Sequence, residues 1–319
     1  MTKATPDAIA AAREIVYAVM PPTPTHRYPL LSERTGADVF VKHENHTPVG
    51  AFKMRGGLNF MAGYVADGGR KGVITATRGN HGQSIAFAAG RAGLEATIVV
   101  PEGNSEEKNR AMQALGGRLV VQGHDFQAAA EYAAELAEEE GLYMLPSFHE
   151  RLVAGVATYA MELFEAAPDL DAVYAPIGLG SGICGIISAR DALGLKTEIV
   201  GVVSEGAPCY ALSFEAGRPV STNAAETMAD GVACRTPIPA AVATINAGAA
   251  RVIRVSDGEI MAAMRAYYAD CHNVVEGAGA APLAGLMRER EAMAGKRVGL
   301  TLSGGNIDKS LYMQALEGG

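Results

Sequence analysis

The sequence predicts an α/β fold with mainly parallel sheets, and three observations carry that prediction. Short β-branched runs recur along the 319 residues, Ala-rich stretches with helical spacing separate them, and two glycine clusters stand where a run ends and a helical stretch begins. The N-terminal segment reads as a surface helix, because Asp7, Arg13 and Glu14 interrupt any apolar core that a secretion signal would need. Strands are expected at 39–41, 72–76, 96–100 and 118–121, then at 172–177, 199–203, 252–255 and 297–302. Helices are expected at 83–93, 126–140, 154–166 and 258–268, with another carrying Ile186 and Ile187. No internal repeat and no long linker divides the chain, so a second domain is expected to be embedded in the first or divided from it at tight crossings.

Composition narrows the function. Apolar residues make up 49% and charged residues 19%, which excludes disorder. The formal net charge is -8 and no long basic run exists, so neither nucleic acid nor an anionic membrane is an expected partner. No apolar stretch reaches the ~18 residues that span a bilayer. Cys184, Cys209, Cys234 and Cys271 lack metal-ligand spacing and read as reduced thiols of a cytoplasmic protein.

The glycine clusters are Thr77-Arg78-Gly79-Asn80-His81-Gly82 and Gly178-Leu179-Gly180-Ser181-Gly182, each after an expected strand and before an expected helix. That arrangement presents free backbone N–H groups at the positive end of a helix dipole, which suits an anion. Either cluster alone reads first as a tight turn that needs glycine backbone angles; two in one chain favour an anionic small molecule held between two lobes. Ile183 stands where a dinucleotide fingerprint wants its third glycine, and no acidic residue closes a clear second strand about twenty residues on. No Gly-Lys-Ser/Thr follows either cluster, so a P-loop fails as well. A mononucleotide-sized phosphate ligand is expected. Lys53, beside Phe52 at an expected helix start, is placed to have its charged form disfavoured, as an imine-forming amine requires.

Gly50-Ala51-Phe52-Lys53-Met54-Arg55-Gly56 resembles the G-S-F-K-x-R-G lysine motif of fold-type II pyridoxal-phosphate enzymes, the threonine/serine dehydratase and serine racemase family. Arg78 to Gly82 resembles that family's S-G-N-H-[AG] loop, Gly178 to Gly182 its tetraglycine phosphate loop, and Ser303-Gly304-Gly305-Asn306 its C-terminal S-G-G-N. Lesser matches lie at 227–233 and at Glu276-Gly277-Ala278-Gly279-Ala280, so the resemblance runs from about residue 25 to 308. It implies a tryptophan synthase β-like fold of two three-layer α/β/α domains. A large cofactor-binding domain would comprise 1–50 and 147–319, and a small mobile domain 51–146. It implies pyridoxal 5'-phosphate as cofactor, Lys53 as the Schiff-base lysine and the base at Cα, and Phe52 beside it. Asn80 would contact the cofactor's phenolic oxygen, Gly178, Leu179, Gly180, Ser181 and Gly182 would cradle its phosphate, and Ser303 would face the pyridine nitrogen. Thr77, Arg78, Gly79, Asn80 and His81 would hold the amino-acid substrate. A homodimer is also implied.

The implied reaction is β-elimination from a β-hydroxy amino acid such as L-threonine, L-serine, 3-hydroxyaspartate or an aryl-serine, giving a 2-oxo acid and ammonia. A neutral Ser303 weakens the ring as an electron sink, which favours loss of a β-leaving group over transamination. The alternatives are a serine or aspartate racemase, a β-replacement synthase, or a non-catalytic homologue. Arg78 departs from the serine that acts as opposite-face acid/base in the racemases, and a guanidinium is too basic for that task. Two readings of Arg78 stay open here: contact with the substrate or cofactor ring, or a pairing with a local carboxylate. Ala51 replaces the motif's serine, and Val203 stands where the family's cation site often has glutamate, so no metal is expected. The sequence ends soon after Asn306, so feedback inhibition by isoleucine is not expected.

Overall fold

The computed structural model describes residues 2–318; Met1 and Gly319, the outermost residues of the expected large domain, lie outside the described residues. The first half runs α1 (Pro6–Tyr17), β1 (Thr25–Arg27), α2 (Pro29–Thr35), β2 (Asp38–His43), α3 (Lys53–Ala66), β3 (Val73–Ala76), α4 (Asn80–Arg91), β4 (Ala96–Val100), α5 (Glu106–Ala114), β5 (Arg118–Val121), α6 (Phe126–Glu140) and β6 (Tyr143–Met144). The second half runs α7 (Glu150–Ala166), β7 (Ala172–Pro176), α8 (Ser181–Ala192), β8 (Glu198–Ser204), α9 (Cys209–Ala216), α10 (Pro239–Gly248), β9 (Arg251–Val255), α11 (Asp257–Cys271), α12 (Gly277–Arg288), β10 (Arg297–Leu302) and α13 (Lys309–Glu317).

The strands form two sheets, ordered β1-β2-β10-β7-β8-β9 and β5-β4-β3-β6. All pairings are parallel except β1 on β2. On the larger sheet, α1, α7, α8 and α10 cover the face that carries Val173, Ala175 and Ile199. The opposite face, with Tyr174, Val200 and Leu300, packs on α2, α11, α12 and α13. The smaller sheet is likewise enclosed: Val73 and Ile98 meet α3, α4 and α5, while Ile74, Ala76 and Val99 meet α6. A strand buried on both faces has no polar side, which is why these segments read as continuous β-branched runs.

The α/β class holds, and the eight expected strands are present to within two residues at their ends. Two strands escape the sequence pattern, β1 and β6, edge strands of three and two residues. The N-terminal helix is amphipathic rather than superficial, with Ile9, Ala12 and Val16 buried and Thr5 as its N-cap. Two helices start earlier than expected for local reasons. His149 caps α7 through its Nδ1, which accepts the Arg151 N–H at 3.1 Å. Thr77 Oγ1 accepts the N–H groups of Gly79 at 2.9 Å and Gly82 at 3.3 Å, folding the glycine cluster into the start of α4. Helix α3 packs on both α4 and α7. Its approach to α7 is so close that a Cβ at Gly155 would lie 2.4 Å from the Arg55 carbonyl oxygen.

Candidate active site

The cavity between the two sheets has a volume of about 350 Å³ and is lined by Lys53, both glycine loops, Lys108, Asp230, Glu276 and Ser303 among others. The segment that leads to Lys53 begins with Gly50. A φ of +70°, and the 2.6 Å that would separate a Cβ there from Asn306 Oδ1, leave room for glycine alone. Ala51 then bridges to Gly304, and its N–H and carbonyl both bond Thr47 Oγ1 at 2.9 Å. The Phe52 N–H donates to the Ser303 carbonyl at 3.0 Å. This seam brings two of the sequence-predicted motifs together and starts α3 at Lys53 on the cavity wall.

Two residues on, Arg55 is fully buried and fixed. Its Nε donates to Glu44 Oε2 at 2.7 Å and its Nη1 to Glu162 Oε1 at 2.6 Å, while Lys42 Nζ meets Glu162 Oε2 at 2.5 Å. The first turn of α3 is thereby tied to β2 and α7. Lys53 Nζ donates to Ser181 Oγ at 3.0 Å. Burial lowers the Lys53 ammonium from 10.5 to about 8, opposed by the Glu276 charge. The Phe52 ring, 5.0 Å from Nζ, favours the cation, so desolvation and not the aromatic neighbour produces the shift.

The second glycine loop leaves β7 and opens α8. Gly180 has φ of +98°, and a Cβ there would lie 2.7 Å from Ala241 Cβ; at Gly178 it would lie 2.2 Å from the Gly231 carbonyl oxygen. Leu179 and Ser181, which depart from glycine, both have negative φ, so their side chains fit the backbone. Tyr210 braces the loop: its hydroxyl donates to the Leu179 carbonyl and accepts from the Ile238 N–H, both at 3.0 Å.

In the first loop, the Thr77 N–H is spent on the Val99 carbonyl and the Gly79 N–H on Thr77 Oγ1. The loop donors free to meet an anion are the N–H groups of Arg78, just before α4, and of Asn80 and His81 in its first turn. The Asn80 side chain donates to Glu276 Oε1 at 2.6 Å and accepts from Asn306 Nδ2 at 2.8 Å. In the sequence Glu276 is marked by its motif alone; the structure adds its surroundings. Burial raises its carboxyl, and Lys108 Nζ lies 3.8 Å from it and 3.3 Å from Asp230 Oδ2. Lys108 and Asp230 come from α5 and from a turn after α9, and no motif marks Lys108. His81 is buried, and burial followed by the Lys53 charge lowers its imidazole to about 3. It is neutral, and its Nε2 has no partner among the described residues.

These residues fit pyridoxal phosphate. A glycine cradle that a Cβ would close, a desolvated lysine amine across from it, and an orphaned buried His81 nitrogen are what a phosphate-bearing aldehyde would need. Arg78 lines the cavity without pairing to a local carboxylate; among the described residues none lies within 4.0 Å of it. Glu205, the acidic residue nearest Val203, where the family's cation site often has glutamate, pairs with Arg288 at 3.1 Å.

Comparison with known proteins gives the family. The sequence is 36% identical over 290 residues to an L-threonine ammonia-lyase of Geobacter sulfurreducens, covering 90% of this chain and 72% of that protein. It is 33% identical over 297 residues to an L-threo-3-hydroxyaspartate ammonia-lyase of Saccharomyces cerevisiae, covering 93% and 91% of the two chains. It spans only 59% of the biosynthetic L-threonine dehydratase of Salmonella typhimurium. Maize serine racemase superposes with a TM-score of 0.92 at 27% identity, over 98% of this chain and 97% of that one. The pattern of the pyridoxal-phosphate dependent enzyme family matches residues 17–304, and the chain belongs to that family.

Proposed function

We propose that the protein is an ammonia-lyase that converts a β-hydroxy amino acid to a 2-oxo acid and ammonia. The observation that carries this reading is Lys53: an amine lowered to about 8, 3.0 Å from Ser181 in the glycine cradle. Pyridoxal phosphate, when bound, supplies the electron sink that makes the substrate Cα–H acidic. Gly178, Leu179, Gly180, Ser181 and Gly182 would hold its phosphate at the N-terminus of α8, and Phe52, Asn80 and Ser303 would flank its ring. The Asn80 and His81 N–H groups orient the substrate carboxylate at the start of α4. Lys53, freed as a neutral amine, takes the Cα proton. The β-hydroxyl departs with a proton as water, and one water then releases ammonia to leave the 2-oxo acid.

Arg78 argues against the racemase reading, because a guanidinium does not give up a proton to the opposite face of Cα. Residues 51–146 act as a mobile unit that closes on 1–50 and 147–319. The active species is a cytoplasmic homodimer without a metal requirement. The test is release of 2-oxo acid and ammonia from L-serine, L-threonine, the 3-hydroxyaspartates and phenylserine. Turnover of at least one, at one ammonia per 2-oxo acid, is expected; no turnover by cofactor-loaded protein overturns the reading.

A further inference from the structure

The charges that line the cavity do not balance within the protein. Arg235 pairs with Asp125 at 3.4 Å, and Lys108 lies between Asp230 at 3.3 Å and Glu276 at 3.8 Å. Lys53 turns to Ser181 and is the amine that the chemistry uses. Arg78 is different. It is half-buried on the cavity wall, and among the described residues no carboxylate oxygen lies within 4.0 Å of its guanidinium. A guanidinium drawn partly out of water without a counter-ion is costly, and its planar fork matches a carboxylate. The substrate α-carboxylate does not need it, because the Asn80 and His81 N–H groups and the α4 dipole already serve that group.

We propose that Arg78 binds a second carboxylate, carried on the substrate side chain, so that the preferred substrate is a β-hydroxy amino acid with an acidic side chain. This deepens the lyase reading and rests on it. A methyl or hydrogen at that position leaves the guanidinium unpaired, and a carboxamide of the same shape brings no charge. Discrimination between carboxylate and carboxamide therefore falls on Arg78.

The experiment has two arms. In the first, cofactor-loaded enzyme is titrated with L-aspartate and with L-asparagine, which have no β-hydroxyl to lose, and the visible absorption band is followed. In the second, kcat/KM is measured for 3-hydroxyaspartate, 3-hydroxyasparagine and phenylserine. L-aspartate is expected to bind at least ~100-fold more tightly than L-asparagine, with a similar preference in kcat/KM. Arg78→Ala should bring both ratios to within about threefold of one, and Arg78→Lys should lower them about tenfold while keeping the sign. Should Arg78→Ala fail to fold, the wild-type ratios and Arg78→Lys carry the test. Equal affinity of the wild type for the two ligands overturns the proposal, as does a preference for phenylserine. Weakening of both ligands to the same degree in Arg78→Ala overturns it too, by giving the guanidinium to the α-carboxylate. Loss of pyridoxal-phosphate affinity with the ratios intact does so by giving it to the cofactor phosphate. Tight L-aspartate binding without any 2-oxo acid would sink the lyase reading and support the role of Arg78.

Discussion

Two ionic clusters, one fully buried and one on the cavity wall, behave in opposite ways. Lys42, Glu44, Arg55 and Glu162 pair with one another at 2.5–2.9 Å, away from the cavity. Burial would raise the Glu162 carboxyl, yet Arg55 and Lys42 hold it below its usual range. Lys108, Asp230, Glu276 and Asn80 form the second cluster, on the cavity wall, with ion-pair distances of 3.3 and 3.8 Å. There burial wins and the Glu276 carboxyl is raised. The contrast teaches that buried charge alone does not mark a site. A saturated cluster fixes a backbone; one that stays under-neutralised beside a cavity is ready for a ligand.

The sharpest way to break this contrast is to open the saturated cluster. Arg55→Met leaves Glu44 and Glu162 buried without their main partner, and should lower the unfolding free energy by about 3–5 kcal/mol in urea titration. A loss under about 1 kcal/mol would mean that the cluster does not hold the fold. Glu276→Gln should show the reverse. Unfolding stability stays within about 1 kcal/mol, while kcat/KM falls by roughly 30–100-fold because the charge that attracts Lys108 is lost and the bond from Asn80 is no longer charge-assisted. The sign follows from the shift. A carboxyl raised on folding contributes its stability fully below its unfolded value, and that contribution is lost as pH rises through the folded value. The wild type should therefore lose ground to Glu276→Gln as pH increases.

A smaller effect separates Lys53 from the buried Lys42. Uptake of pyridoxal phosphate by the apoprotein needs the neutral Lys53 amine. Its rate should climb about tenfold per pH unit below 8 and level off above it, because the ammonium is lowered to about 8. A half-point near 10.5, the ordinary lysine value, would remove desolvation from the account. The smallest effect is expected from chelation. With Glu205 held by Arg288, treatment with EDTA should change turnover by less than about twofold, measured with the same 2-oxo acid assay.

Much of this is legible in the sequence because the signals are local. Strands such as β3 and β4 are buried on both faces and spell themselves as apolar runs, whereas β1 and β6 are edge strands too short to carry a pattern. Lys53, the cradle and the Asn80 loop each occupy one contiguous segment. Lys108 does not announce itself, because it sits in Glu106-Glu107-Lys108-Asn109-Arg110, which reads as a solvated helix face, and becomes buried only when Asp230 and Glu276 fold against it. The engagement of the Gly79 N–H by Thr77 also needs coordinates, since spacing alone offers every loop N–H equally. Arg78 stays open between two readings until the carboxylates around the cavity are assigned to other partners.

The most direct test of the central claim follows elimination and Cα inversion in one sample. Cofactor-loaded enzyme is given L-threo-3-hydroxyaspartate, and 2-oxo acid, ammonia and the inverted amino acid are quantified together, with Lys53→Ala as the control. Equal 2-oxo acid and ammonia are expected, with elimination exceeding inversion by at least about tenfold and both products falling by at least ~10³-fold in Lys53→Ala. Inversion as the main product, or turnover that survives in Lys53→Ala, would contradict the claim.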